Sequence, residues 1–134
     1  MKLKSTILLI PLLLLIFISN SSGNLLSLKP VIKFDDPDYD FGVVKLGENL
    51  EHVFKFTNEG EGTLVINSVQ PSCGCTGVVM EEKKEFGPGE AGEIKISFNT
   101  QGRQGVNSKT VIVNTNDPEN PLMTLTFKCE IESE

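Results

Sequence analysis

Arginine is nearly missing from this chain: Arg103 is the only one among 134 residues, and His52 is the only histidine. Twelve Lys and Arg stand against 18 Asp and Glu, a formal charge of −6. Two of those lysines, Lys2 and Lys4, belong to a leader-like start, and the rest of the chain carries a net −8. A surface that acidic cannot neutralise a phosphate backbone, so neither nucleic acid nor an anionic membrane surface is an expected partner. With one histidine, and no neighbouring serine or cysteine and orienting carboxylate, no nucleophile–base–acid set can be assembled. The expectation is a non-enzyme with no cofactor and no small-molecule substrate.

Long apolar runs are missing too, with one exception. Residues 7–18, ILLIPLLLLIFI, follow Lys2 and Lys4 and precede Ser19-Asn20-Ser21-Ser22-Gly23. As a helix this run rises about 18 Å, short of a ~30 Å hydrocarbon core. A positive start, a short apolar middle and a small-residue exit instead fit a signal peptide. Residues 1–22 are therefore expected to direct export, with cleavage after Ser21 or Gly23. The alternative is an uncleaved signal anchor, which would be the chain's tie to a membrane. Either way the expected location is periplasmic or secreted, where disulfides persist. The cysteines are Cys73, Cys75 and Cys129; with an odd number, at least one thiol stays free or pairs outside the chain.

No window of ten or more residues after the leader shows a convincing helical stripe, and no linker or repeat interrupts it. What is there instead is strand after strand. Leu50, His52, Phe54 and Phe56 alternate with Glu51, Val53, Lys55 and Thr57. Ile94, Ile96 and Phe98 alternate with Lys95, Ser97 and Asn99, and Leu125, Phe127, Cys129 and Ile131 with Thr126, Lys128 and Glu130. Leu64 and Ile66 start another strand, and Val69 falls out of their register, which predicts a bulge. Val111-Ile112-Val113 reads as a strand covered on both faces. Glu59-Gly60-Glu61-Gly62 reads as a turn with two residues free to take positive φ. Seven or eight short strands predict a single all-β domain over residues 28–134, an antiparallel β-sandwich. Its core should comprise Phe54, Phe56, Leu64, Ile66, Ile94, Ile96, Phe98, Val111, Val113, Leu125 and Phe127.

A set of local patterns adds a resemblance. Phe41-Gly42 with Gly47, Phe54-Lys55-Phe56-Thr57-Asn58-Glu59-Gly60, Leu64-Val65-Ile66 and Ser72-Cys73-Gly74-Cys75-Thr76 come first. Pro88-Gly89-Glu90, Ile94 through Thr100, Gly105 with Lys109, and Asn114-Thr115-Asn116-Asp117 complete it. Together they resemble the bacterial domain-of-unknown-function family 1573, itself similar to immunoglobulin-like sandwiches of the major-sperm-protein and cilia-associated type. The resemblance implies a seven-strand immunoglobulin-like fold and an exported location, and it brings no assigned activity. Cys129, near the end of the last strand, departs from the family pattern.

Cys73-Gly74-Cys75 is the feature that could carry chemistry. Residues two apart in a tight bend can reach disulfide spacing. Four readings stay open: a structural disulfide or thiol pair, a redox pair, two thiolates for a soft metal such as Cu(I), or a covalent link to another chain. Cys129 lies on the apolar face of its strand, where the plain reading is a buried free thiol. It is the alternative disulfide partner if the last strand passes the Cys-Gly-Cys loop. His52 reads as a core or edge histidine, and Asp35, Asp36, Asp38 and Asp40 as a solvated turn rather than a calcium loop. The function expected from all this is a protein-binding or scaffolding module that meets another envelope protein. Soft-metal or thiol-redox work at the Cys-Gly-Cys loop is the alternative.

Overall fold

The computed structural model describes residues 28–133, so the expected signal segment, with both proposed cleavage points, lies outside the described residues. Nine strands follow one another: β1 (Ile32–Phe34), β2 (Asp38–Val44), β3 (Asn49–Asn58), β4 (Leu64–Pro71), β5 (Thr76–Met80), β6 (Glu85–Phe86), β7 (Ala91–Asn99), β8 (Gly105–Thr115) and β9 (Leu122–Ile131). They form a four-stranded sheet, β1-β3-β7-β5, and a five-stranded sheet, β2-β9-β8-β4-β6. The result is an all-β immunoglobulin-like sandwich.

Period-two alternation decides which face of each sheet is inside. Every one of the eleven residues expected in the core is buried, and Ile32, Phe34, Val44, Leu50, Phe86, Cys129 and Ile131 join them. Phenylalanines mesh edge-on through this layer: Phe56 against Phe86 at 5.0 Å between centroids, and Phe98 against Phe127 at 5.6 Å. Such tilted pairs place the positive ring edge on the negative face of its neighbour.

Three local expectations are corrected. The sandwich is not wholly antiparallel, because β2 runs parallel to β9. The chain leaves one sheet after Phe34, turns at Asp35–Pro37, and continues along the other sheet in nearly the same sense. Second, Val111 and Val113 are buried but Ile112 is only half-buried, so β8 keeps one inner and one outer face. The outer side of Ile112 is flanked by Gln70 and Thr124 on the neighbouring strands rather than by another layer. Third, neither Gly60 nor Gly62 takes a positive φ. A Cβ on Gly60 would lie 2.2 Å from the Lys29 carbonyl oxygen, and one on Gly62 2.4 Å from that of Leu28. Close backbone approach, not turn conformation, requires glycine there. The bulge expected near Val69 is present, as a register shift between Ile66 and Ser68.

Buried polar residues tie the ends of the sandwich. Asp117, 1% exposed, accepts hydrogen bonds from the Ile32 N–H at 3.0 Å and the Glu119 N–H at 2.9 Å, with Asn120 adding weaker ones. Burial pushes its pKa up, but the donors favour the charged carboxylate and together hold it below the usual range. A depressed folded-state pKa contributes stability that is present above the unfolded value, near pH 4, and lost as pH falls through the folded one. The wild-type urea midpoint should therefore fall between about pH 5 and about pH 3 by more than that of Asp117→Asn, which has no such proton to take up. Equal falls would mean that the Asp117 cluster is not where this acid sensitivity resides.

Candidate functional site

One flank of the sandwich is open. Among the described residues β5 pairs only with β7, and β6 covers β4 only at Leu64 and Val65. β6 is extended by one further bond, Ile66 N–H to Lys84 O at 2.9 Å, and beyond it the β4 edge from Asn67 to Pro71 and the far β5 edge face outward together, one from each sheet. Between them runs a groove of about 300 Å³ whose apolar lining includes Val69, Val78 and Met80. These three are half-buried and pack on the core cluster. Glu81, Glu82 and Lys84 stand at its other end.

The sequence explains why this flank stays open. β5 is Thr-Gly-Val-Val-Met, with neither charge nor proline, and both are the usual means of blunting an edge strand. The other edges differ: β1 has three residues, β6 has two, and β2 carries Asp38 and Asp40 and a register shift before Val43. Val79, 64% exposed, is the outward residue of β5, level with Lys95 on β7 and Val53 on β3.

The Cys-Gly-Cys loop closes the top of the same flank, joining β4 to β5. Cys73 and Cys75 are bonded as a disulfide with Cα atoms 5.3 Å apart. Pro71 ends β4, and the loop is then held by backbone bonds, Ser72 N–H to Thr110 O at 2.9 Å and Thr76 N–H to Cys73 O at 3.4 Å. The Thr76 side chain is buried, and its hydroxyl lies 3.9 Å from the Cys73 Sγ and 4.0 Å from the Cys75 Sγ. A disulfide sulfur has no hydrogen, so the hydroxyl is the donor, its one hydrogen serving either sulfur.

The other sequence candidates do not join this group. Cys129 is a free thiol, buried in the core with Phe127 and Ile131. β8 stands between β4 and β9, so Cys129 is two strand spacings from the loop, about 10 Å. Disulfide Cα spacings are about 4.4–6.8 Å, which rules out its pairing with Cys73 or Cys75 in this fold. Burial pushes its thiol pKa up, Asp40 adds to the rise and Lys109 partly offsets it. His52 stacks face to face on Tyr39, ring centroids 3.6 Å apart, with Phe54 edge-on. Burial lowers its pKa against the opposing charge of Asp36, which suits a neutral packing ring. Asp36 and Asp40 turn their carboxylates onto the N–H groups of Asp38 and Gly42. Among the described residues no three His, Cys, Asp or Glu side chains converge as metal ligands.

Pattern reading identified the Cys-Gly-Cys loop but not the groove below it. The available signal was the uncharged Thr76–Met80 strand itself.

The sequence profile of a protein family of unknown function, DUF1573, matches residues 32–131, nearly all of the described chain. The chain belongs to DUF1573. No curated protein matches this DUF1573 chain in sequence. Among solved structures, a protein of unknown function from Porphyromonas gingivalis W83 is similar with a TM-score of 0.69 and 24% identity. That match covers 78% of this chain and 48% of the other, so the DUF1573 chain spans about half of that protein's length. PapD-like domain 7 of human CEP192 is similar with a TM-score of 0.54 and 12% identity, over 77% of this chain and 87% of that one. The Vibrio cholerae VesB protease is similar over 80% of this chain but 32% of its own, with a TM-score of 0.60 and 12% identity. At these identities the likenesses establish the immunoglobulin-like fold and nothing of activity.

Proposed function

We propose that this DUF1573 chain is an exported, non-enzymatic binding module that takes an extended segment of another envelope protein along its β4–β5 flank. Export rests on residues 1–22, with their lysines, apolar run and small-residue exit. Binding rests on one observation: an uncharged edge strand, β5, paired on one side only, borders a groove lined by Val69, Val78 and Met80. An incoming strand would pair its backbone with the β5 edge and lay every second side chain into the groove. Apolar side chains at alternate positions fit Val69, Val78 and Met80, and a lysine or arginine at the end of the segment fits Glu81 and Glu82.

A photo-crosslinking residue at Val79, compared with one at Val106 on the outer face of β8, tests this in native cells. Adducts to an envelope protein are expected from position 79 and not from 106. They should disappear when Met80→Glu places a charge in the groove of a chain that keeps its native circular dichroism. Adducts that are absent at 79, equal at both positions, or indifferent to Met80→Glu would refute the reading.

A further inference from the structure

Strand docking leaves the Cys73–Cys75 disulfide without a role, and its structural value is small. Cross-links stabilise by shortening the unfolded chain's loops, a gain that grows with loop length, and this one closes residues 73–75 alone. The loop is also already fastened without it. Ser72 donates its N–H to Thr110 O, and the Ser72 hydroxyl accepts the Thr110 N–H at 3.4 Å. The sulfurs themselves are half-buried at the end of the sandwich, outside the core cluster's deepest layer, and exposed Gly74 between them leaves open space where a side chain would stand.

Against this stands Thr76. Its hydroxyl lies within hydrogen-bonding reach of both sulfurs, and among the described residues they are its hydrogen-bond partners. A hydroxyl so placed favours a charged sulfur over a neutral one. Breaking the disulfide releases one sulfur as a thiolate, and a stabilised thiolate is a better leaving group.

We infer that the Cys-Gly-Cys loop is a thiol–disulfide exchange site, with Thr76 as the positioning residue whose hydroxyl donates a hydrogen bond to the departing thiolate. The reductant is a dithiol, or two monothiol molecules such as glutathione acting in turn as its first and second thiols. Its first thiolate attacks one cysteine Sγ, forming a mixed disulfide while the Cys73–Cys75 bond breaks and its electron pair leaves on the other sulfur. The second thiol of the reductant then attacks the mixed disulfide, loses its proton, and frees the remaining cysteine. The chain gains two electrons and two protons, and the dithiol becomes a disulfide; the same steps in reverse oxidise a partner's thiol pair. Neither direction requires the docked strand.

The full-length wild-type chain, equilibrated with graded ratios of reduced and oxidised glutathione, provides the test. Samples are acid-quenched and alkylated, each cysteine is mapped by peptide mass, and circular dichroism is recorded alongside. Cys73 and Cys75 should become alkylated together and reversibly while the dichroism stays native, with buried Cys129 protected as the internal control. In the reduced chain, the pH midpoint for alkylation should rise by about one unit in Thr76→Val, the size of one lost hydrogen bond to a charged group, and return in Thr76→Ser. The inference is overturned if the pair stays oxidised in excess reduced glutathione, as structural disulfides do. It is equally overturned if reduction coincides with unfolding, or if Thr76→Val leaves the midpoint where it was.

Discussion

Asn58→Leu should lower the unfolding free energy by about 3–5 kcal/mol, although it replaces a polar side chain by an apolar one of similar size in a buried position. Asn58 ends β3 and is 0% exposed. Its Nδ2 donates to Gly62 O at 2.7 Å and Phe86 O at 2.9 Å. Its Oδ1 accepts from the Gly60 N–H at 3.0 Å and the Val31 N–H at 3.2 Å. One side chain thus satisfies four backbone groups from the entry to β1, the β3–β4 turn and β6. Leucine leaves all four without their partner, and each buried orphan costs about 1–3 kcal/mol, less than additively because water and small shifts recover part. Asn58→Asp separates hydrogen bonding from shape. The carboxylate keeps both acceptor contacts but points an oxygen, instead of an NH2 group, at two carbonyls. Its loss should therefore equal or exceed that of leucine at neutral pH and shrink on acidification as the carboxyl gains a proton. Urea unfolding followed by circular dichroism measures both. A loss within about 0.5 kcal/mol for Asn58→Leu, the range of an ordinary surface change, would mean the network is not made in solution.

Asn58 also marks where sequence reading stops. It has the inward parity of Leu50, Phe54 and Phe56, so its face was legible. Its role was not, because alternation marks apolar residues and is silent on a polar one whose partners are backbone groups up to 28 residues away. The role of Asp117 is hidden for the same reason; its bond to the Ile32 N–H spans 85 residues. The inner faces of β3, β7 and β9 were legible because two-residue periodicity is written into adjacent positions. Sheet order is not local, and the parallel pairing of β2 with β9 depends on the chain changing sheets at Asp35–Pro37. The groove was hidden likewise. Val69 reads as a bulge position, and Val78 and Met80 as ordinary strand residues, until β4 and β5 are seen to end their sheets on the same side. Cys73 and Cys75 were conspicuous by spacing alone, whereas Thr76 gained meaning only from its hydroxyl's position beneath both sulfurs.

Phe127→Ala is the second large loss expected, about 3–5 kcal/mol, because it removes a fully buried ring and leaves a cavity that a close-packed core cannot fill. Phe127 is 1% exposed on the inner face of β9, between β2 and β8 in the five-stranded sheet. Phe98 meets it at 5.6 Å from the opposite sheet, and Phe41 lies edge-on at 6.0 Å from β2. The ring therefore fastens both sheets and the sheet-switching strand at one point, and its removal loosens three elements together. Lys128, the next residue, is the matched control. Its side chain is 57% exposed and its ion pair with Asp40 spans 3.6 Å, so Lys128→Ala should stay within about 0.5 kcal/mol. Cys129→Ala, again inward but small, should fall between the two. Since Cys129 is a free thiol, reductant should not change the size of its effect. Urea titrations of the three variants, with and without dithiothreitol, read this alternation directly. Equal losses at 127 and 128 would place β9 in the wrong register. A reductant-dependent loss at 129 would place a disulfide where the fold keeps Cys129 two strands away from the Cys-Gly-Cys loop.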